Sequence, residues 1–240
     1  MSIYDIKIKR KESVANGTMA YYFDKPDSFE FRAGQFADYT FTNPPETDAE
    51  GNTRGFSFIT APYEDELGFA TRLRDTAFKR VLKSMLLGEE GLEVKLDGPY
   101  GDFTLHKTSS TPAVFIIGGI GVTPIRSIVK QALYDGSGHQ MTLFHANRTS
   151  MDAPFESDFQ ELATRHGNFH YVSVYGEEES DGAEQGRMNA DILKKYVGNV
   201  QAPIYYLSGP EGMVKAIRQM LVGELAISED NIRTEEFTGY

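Results

Sequence analysis

Two short stretches of the chain combine residue types that can do chemistry. The first spans residues 113–127. An apolar run from Ala113 to Ile117 suits a buried strand, and Gly118, Gly119 and Gly121 follow it. Thr123 then stands as an N-cap with Pro124 at the first helical position, and Ile125, Ile128, Val129, Ala132 and Leu133 continue at helical spacing. A glycine turn between a strand and a helix lets a ligand approach the backbone. The helix start offers free N–H groups and partial positive charge to a phosphate. The alternative is an ordinary tight turn, because Gly-Gly-x-Gly is only part of a dinucleotide fingerprint. The second stretch is Arg54-Gly55-Phe56-Ser57-Phe58. In an extended segment Arg54, Phe56 and Phe58 share one face. Arginine suits bidentate contact with phosphate, a phenylalanine can lie flat on a planar ring, and a serine offers a hydroxyl to a heteroatom. The competing reading is an edge strand with a solvated arginine over core phenylalanines.

The elements that must position these residues differ between the two halves. Segments 4–9, 19–23, 35–41, 56–60, 68–73 and 92–96 read as short strands, punctuated by Pro26-Asp27, Asn43-Pro44-Pro45, Ala61-Pro62 and the turn Asp97–Gly101. Such spacing predicts a small antiparallel six-stranded β-barrel. One amphipathic helix is expected at 78–87, with Lys79, Arg80 and Lys83 opposite its apolar face. The polar run 107–112 marks a boundary, giving domains 1–108 and 109–240. Beyond it, strands at 113–117, 141–146, 169–175 and 203–207 alternate with helices at 123–134, 154–165, 189–196 and 210–222. That alternation predicts a Rossmann-like parallel sheet with crossover helices. The fold class expected is therefore β plus α/β.

Composition removes several classes of function. The net charge is −11, which disfavours nucleic acid as a partner. There is no cysteine, so thiolate catalysis, disulfides and a cysteine-ligated iron–sulfur cluster are excluded for these residues, and the five histidines show no metal-ligand spacing. No apolar run reaches 18 residues and the N-terminus lacks a signal-peptide core, so the expected location is cytoplasmic with no membrane span.

Five motifs occur in order: Arg54–Ser57, Gly98-Pro99-Tyr100-Gly101, Gly118–Pro124, Ser208-Gly209-Pro210 and Glu235-Glu236-Phe237. In this order and at these intervals the chain resembles the ferredoxin–NADP reductase family, which includes flavin reductases and reductase components of oxygenases. The resemblance implies an FAD barrel followed by an NAD(P) domain. Arg54 resembles the arginine that meets the flavin pyrophosphate, with Gly55 beside it. Phe56 stands where the family usually places a tyrosine on the flavin ring, and Ser57 resembles the serine near flavin N5. Arg72 and the segment Thr76-Ala77-Phe78-Lys79 fall at the pyrophosphate, although the family's glycine is missing there. Gly119, Gly121, Thr123 and Pro124 resemble the pyridine-nucleotide turn. Arg148 stands where the adenosine ribose is read, as a 2′-phosphate ligand or as a solvated loop arginine. Ser208 replaces the family's frequent cysteine beside the nicotinamide, followed by Gly209, Pro210 and Met213. The resemblance folds the C-terminus over the flavin, so Glu236 becomes a polar group on the hydride path and Phe237 or Tyr240 a covering ring.

The activity implied is hydride transfer between NADH or NADPH and FAD, followed by electron delivery to a carrier. The basic helix suggests an acidic ferredoxin or flavodoxin. A free-flavin reductase and a reductase subunit of an oxygenase or other redox complex are the alternatives.

Overall fold

The computed structural model describes residues 3–85 and 92–236. The first half holds seven strands: β1 (Ile3–Ile6), β2 (Ile8–Ala15), β3 (Thr18–Asp24), β4 (Phe36–Phe41), β5 (Thr53–Ser57), β6 (Glu66–Arg72) and β7 (Val94–Tyr100). They form two antiparallel sheets rather than one continuous ladder, ordered β1-β7-β4-β5 and β2-β3-β6. The strand missing from the sequence reading is β2. Its Lys-Arg-Lys-Glu run has little apolar alternation, and the strand gains its place by pairing with the buried β3. Aromatic side chains fill the space between the sheets. Phe56 stacks on Phe69 with ring centroids 4.2 Å apart, and Phe41 on Phe78 at 4.2 Å.

The expected turn at 97–101 is different in detail. Gly98, Pro99 and Tyr100 belong to β7, and the positive backbone angle falls on Gly101 (φ 89°). A register shift between Phe36 and Asp38 lets β7 continue past the proline. A Cβ on Gly98 would lie 2.8 Å from that of Ala37, so only glycine permits this approach. Helix α1 (Ala77–Ser84) is shorter than the expected 78–87, and residues 86 and 87 lie outside the described range. Thr76 caps it, its hydroxyl accepting from the Lys79 N–H at 3.4 Å.

The second half is one parallel sheet of six strands: β8 (Ala113–Gly118), β9 (Met141–Asn147), β10 (Phe169–Tyr175), β11 (Glu184–Gln185), β12 (Ile204–Gly209) and β13 (Ile232–Glu236). The order is β11-β10-β9-β8-β12-β13. Every residue of β8 is buried, as its unbroken apolar run requires in a sheet covered on both faces. Helices α2 (Val122–Tyr134), α3 (Glu156–Arg165), α4 (Ala190–Tyr196) and α5 (Glu211–Gln219) make the crossovers. The edge strands β11 and β13 are two residues and polar, respectively, and neither has an apolar pattern to announce it. Helix α2 begins one residue early. A 3-10 turn over Gly119–Gly121 leads directly into it, so Thr123 is not the cap; its hydroxyl donates to the Ile120 carbonyl at 3.1 Å. Pro124 is the third helical residue, still within the first turn where no intrahelical N–H bond is lost.

Helix α2 also joins the halves. Ile120, Ile125, Ile128 and Val129 share one core with Tyr22, Ile59, Ala70 and Phe103. Arg126 lies in this seam at 8% exposure, its guanidinium donating to the Ile59 carbonyl (2.8 Å) and to Asp158 (2.7 and 3.0 Å). Ser127 donates to the Thr60 carbonyl at 2.7 Å. Replacing Arg126 by alanine strands a buried carbonyl and removes a charged bond, so Arg126→Ala should cost about 2–4 kcal/mol in urea unfolding. It should also speed proteolysis of the segment 101–112, which contains no helix or strand. An unchanged midpoint would show that the seam does not depend on this cation.

Candidate functional site

A cavity of about 510 Å³ opens where the two halves meet. Strand β5 delivers Arg54, Gly55, Phe56 and Ser57 to it, and the end of β6 delivers Thr71 and Arg72. Arg74 and the start of α1 add Thr76 and Lys79, and the glycine turn contributes Ile120 and Thr123. Four cations therefore line one cavity, against one carboxylate, Glu50. Burial, and then Arg74, Arg54 and Arg72, push the Lys79 ammonium below its ordinary range. An excess of positive charge lining a cavity suits an anion.

The cradle is partly occupied by the protein's own carboxylates. Arg54 donates to Glu50 Oε2 at 2.7 Å and to the carbonyls of Glu50 and Thr53 at 2.9 and 2.7 Å. Asp48 accepts from the Ala77 N–H, at the start of α1, at 2.9 Å. Backbone hydrogen bonding from Ala77 is the main reason its carboxyl is held below the usual carboxylate range.

The glycine turn is held from three sides. A Cβ on Gly121 would come within 2.7 Å of the Gly209 nitrogen, and one on Gly209 within 2.9 Å of the Gly118 nitrogen. The strand-to-helix turns after β8 and β12 thus touch backbone to backbone. Gly119 adopts φ 52°, and a Cβ there would meet Arg72 Nη2 at 2.7 Å. His145 on β9 is fully buried and fixes the same turn. Its Nε2–H donates to the Gly119 carbonyl at 3.1 Å while Nδ1 accepts from the Tyr171 hydroxyl at 3.1 Å. The neutral ring satisfies both nitrogens, and burial pushes its pKa down to about 4.

Beside the turn, three buried polar atoms have no hydrogen-bond partner: Ser208 Oγ, Asn147 Oδ1 and Glu235 Oε2. Ser208 and Glu235 are register partners on β12 and β13, so their side chains leave the sheet on one face. Burial, with Asp102 nearby, pushes the Glu235 carboxyl up to about 8. Unpaired buried polar atoms are costly, and at a cleft they mark places where a ligand completes the bonding.

Residues 115–219 match the family model for the oxidoreductase NAD-binding domain. The chain is 31% identical over 209 residues to the reductase component DmpP of phenol 2-monooxygenase from Pseudomonas sp. (strain CF600), covering 84% of this chain and 56% of that protein. It is 29% identical over 222 residues to the propane 2-monooxygenase reductase component of Mycolicibacterium goodii, covering 89% and 61%. The chain thus spans less than two thirds of the length of these relatives. The fold matches a ferredoxin NADP+ reductase from Neisseria gonorrhoeae with a TM-score of 0.80 at 20% identity, covering 98% of both chains. It matches the Amycolatopsis cytochrome P450 reductase GcoB at 0.82 and 24%, covering 99% of this chain and 71% of that one. Residues 115–219 thus form an oxidoreductase NAD-binding domain, and the chain as a whole resembles the ferredoxin–NADP reductase family.

Within this family frame the sequence-derived residues divide into groups. Arg54, Gly55, Phe56, Ser57, Arg72, Thr76, Lys79 and Thr123 converge on the cavity. Phe78 does not: it is 2% exposed and stacked in the aromatic core, and Ala77 is buried with only its N–H at the helix start. Their helical period turns them inward. Gly121 and Gly209 serve backbone contact between turns, and Pro210 and Met213 pack against Gly118. Pro124 is buried in α2. Arg148 lies in the loop after β9, its side chain on Asp152. Glu236 ends β13, and Phe237 and Tyr240 lie outside the described residues. Arg74, His145 and Glu235 were missed. For Glu235 the signal was present in the Glu-Glu pair, but alternation alone does not say which member turns inward.

Two pH effects follow. His145 is favoured neutral, so its contribution is complete above pH 6.5 and is lost as pH falls toward about 4. Folding stability should fall over that window, and His145→Gln, which keeps an amide N–H, should flatten the loss. Glu235 is favoured protonated, so stability falls as pH rises from its ordinary 4.5 to about 8. Glu235→Gln should raise the urea midpoint at pH 9 more than at pH 5. Equal effects at both values would remove the assignment of a buried proton to this carboxyl.

Proposed function

We propose that this chain is a flavin-dependent reductase module that takes a hydride from a nicotinamide dinucleotide and passes electrons to a protein acceptor. The observation that carries this reading is the seam cavity, where a cationic cradle and a half-buried aromatic from one half face the glycine turn of the other. The residues fit FAD. Arg54, Arg72, Arg74 and Lys79 supply charge for a pyrophosphate, Thr76 a hydroxyl, and Phe56 a flat apolar surface. When bound, the flavin supplies the exchange of a two-electron donor for one-electron delivery.

The chain's own residues do the rest by binding and orientation. Phe56 is backed by Phe69 at an interplanar angle of 3°, so its ring cannot tilt freely. Ser57, 4% exposed, sets a hydroxyl in the cavity wall. The turn at Gly119–Thr123 offers backbone N–H groups to the dinucleotide phosphates. Glu235 holds a proton at its carboxyl near neutral pH, and Ser208 provides the neighbouring small polar group. The role of Glu236 on the hydride path, of Phe237 or Tyr240 as the covering ring, and the division at 108/109 belong to this proposal.

For the acceptor, an acidic ferredoxin or flavodoxin remains the main reading, in a cytoplasmic setting. Its support is the exposed Arg74 beside the cavity. The outer face of α1 is less basic than its sequence, because Arg80 is paired with Glu46 at 2.6 Å and with Asp75 at 2.5 Å. A second reading, delivery within an oxygenase system, is favoured by the relatives that are reductase components of monooxygenases. No helix among the described residues is long and apolar enough to cross a membrane.

The test is an absorbance spectrum of the purified chain loaded with FAD, before and after anaerobic addition of NADH and of NADPH. Bound flavin that bleaches supports the reading. A chain that neither retains FAD nor oxidises either nucleotide removes it. Turnover with ferredoxin, but not with free flavin, would separate the electron-carrier role from that of a free-flavin reductase.

A further inference from the structure

We infer that the loop after β9 selects NADH over NADPH, and that Glu178 sets this choice. The inference rests on the dinucleotide reading above and deepens it. In an open parallel sheet the adenosine ribose is read at the C-terminal end of the strand beside the glycine-turn strand, where an acidic residue receives the ribose hydroxyls and an arginine accommodates a 2′-phosphate. Here that strand is β9, the parallel neighbour of β8, and it ends at Asn147.

The next three residues are Arg148, Thr149 and Ser150, a set of donors that could hold a phosphate. Each is turned to a carboxylate instead. The Ser150 N–H donates to Glu178 Oε2 at 2.7 Å, and its hydroxyl lies 3.0 Å from both oxygens of the same carboxylate. The Thr149 hydroxyl donates to Asp152 at 3.0 Å, and Arg148 Nε lies 3.4 Å from Asp152. Glu178 is not on a free loop. The Gly176 N–H donates to the Asn147 carbonyl and the Glu177 N–H to the Arg148 carbonyl, both at 2.9 Å, so the segment after β10 is clamped to the segment after β9.

Charge then decides. Arg148 pairs with Asp152, Glu178 is held by the neighbouring Ser150, and the Arg148 side chain is 70% exposed, where a lone ion pair is weak. A 2′-phosphate would bring about −1.5 to −2 charges into that neighbourhood. A 2′-hydroxyl brings a donor, and finds acceptors. Repulsion from Asp152 and Glu178 disfavours the phosphate at least about tenfold. Arg148, left open between two readings by the sequence, is the ion-pair partner of Asp152.

The experiment is equilibrium binding of NAD+ and of NADP+ to the full chain by calorimetry. The wild type should bind NAD+ at least about tenfold more tightly. Glu178→Gln should narrow the ratio at least about threefold by improving NADP+, and Asp152→Asn should shift it the same way. Arg148→Ala should leave the ratio within about twofold. Tighter binding of NADP+ by the wild type, an unmoved ratio in both carboxylate variants, or a selective loss of NADP+ binding in Arg148→Ala overturns the selectivity alone. Failure to bind either dinucleotide overturns the underlying site reading and the inference with it.

Discussion

Within the parallel half, two turns meet through a backbone contact that no side chain could mediate. The turn after β8 and the turn after β12 touch at Gly118, Gly121 and Gly209, with less than 3 Å between one backbone and the Cβ that any other residue would add. That approach places the start of α2 against the start of α5. It sets the glycine turn at the seam, over Arg72 from the antiparallel half. A larger residue at any of these positions would have to push the two turns apart, and the cavity would lose one wall. In this chain the glycines are thus needed first for packing and then for ligand approach.

The seam behind that contact is built from unlike parts. Apolar residues of α2 give the bulk of the adhesion, while Arg126 and Ser127 satisfy the Ile59 and Thr60 carbonyls just beyond strand β5. Those carbonyls would otherwise be buried without donors. The buried polar bonds also fix the angle at which β5 meets the second half. An apolar seam alone would leave that angle less specified, because apolar contact has no direction.

Much of this architecture is written in the sequence in a form that can be read. The period change near residue 110, the central strands and three of the crossover helices follow from apolar spacing, to within one or two residues at most ends. Arg54 and Phe56 were accessible because they lie two apart on a strand, and alternation fixes which residues share a face. What could not be read was of two kinds. β2, β11 and β13 are strands by pairing rather than by pattern, and pairing partners lie far off in sequence. His145, Arg126 and Glu235 are buried polar residues whose roles arise from long-range contacts, the nearest of them 26 positions away for His145. Phe78 failed in the opposite sense. Its motif position suggested a ligand, but a helix start exposes some of its residues and buries the rest.

The carboxylates around Arg54 have a consequence for how the protein exists without its ligand. Asp48 sits on the N–H of Ala77 and Glu50 on the Arg54 guanidinium, so the cradle carries its own counterions on a short tether. An empty pocket lined by four bare cations would attract any polyanion in the cell. On the proposed reading, loading would be an ion exchange: an arriving pyrophosphate would take over bonds already made, and Glu50 would be released to water. Selection then falls on ligands that offer more than charge, because charge alone only replaces what the tethered carboxylates supply. The aromatic floor at Phe56 is where such a ligand gains its advantage.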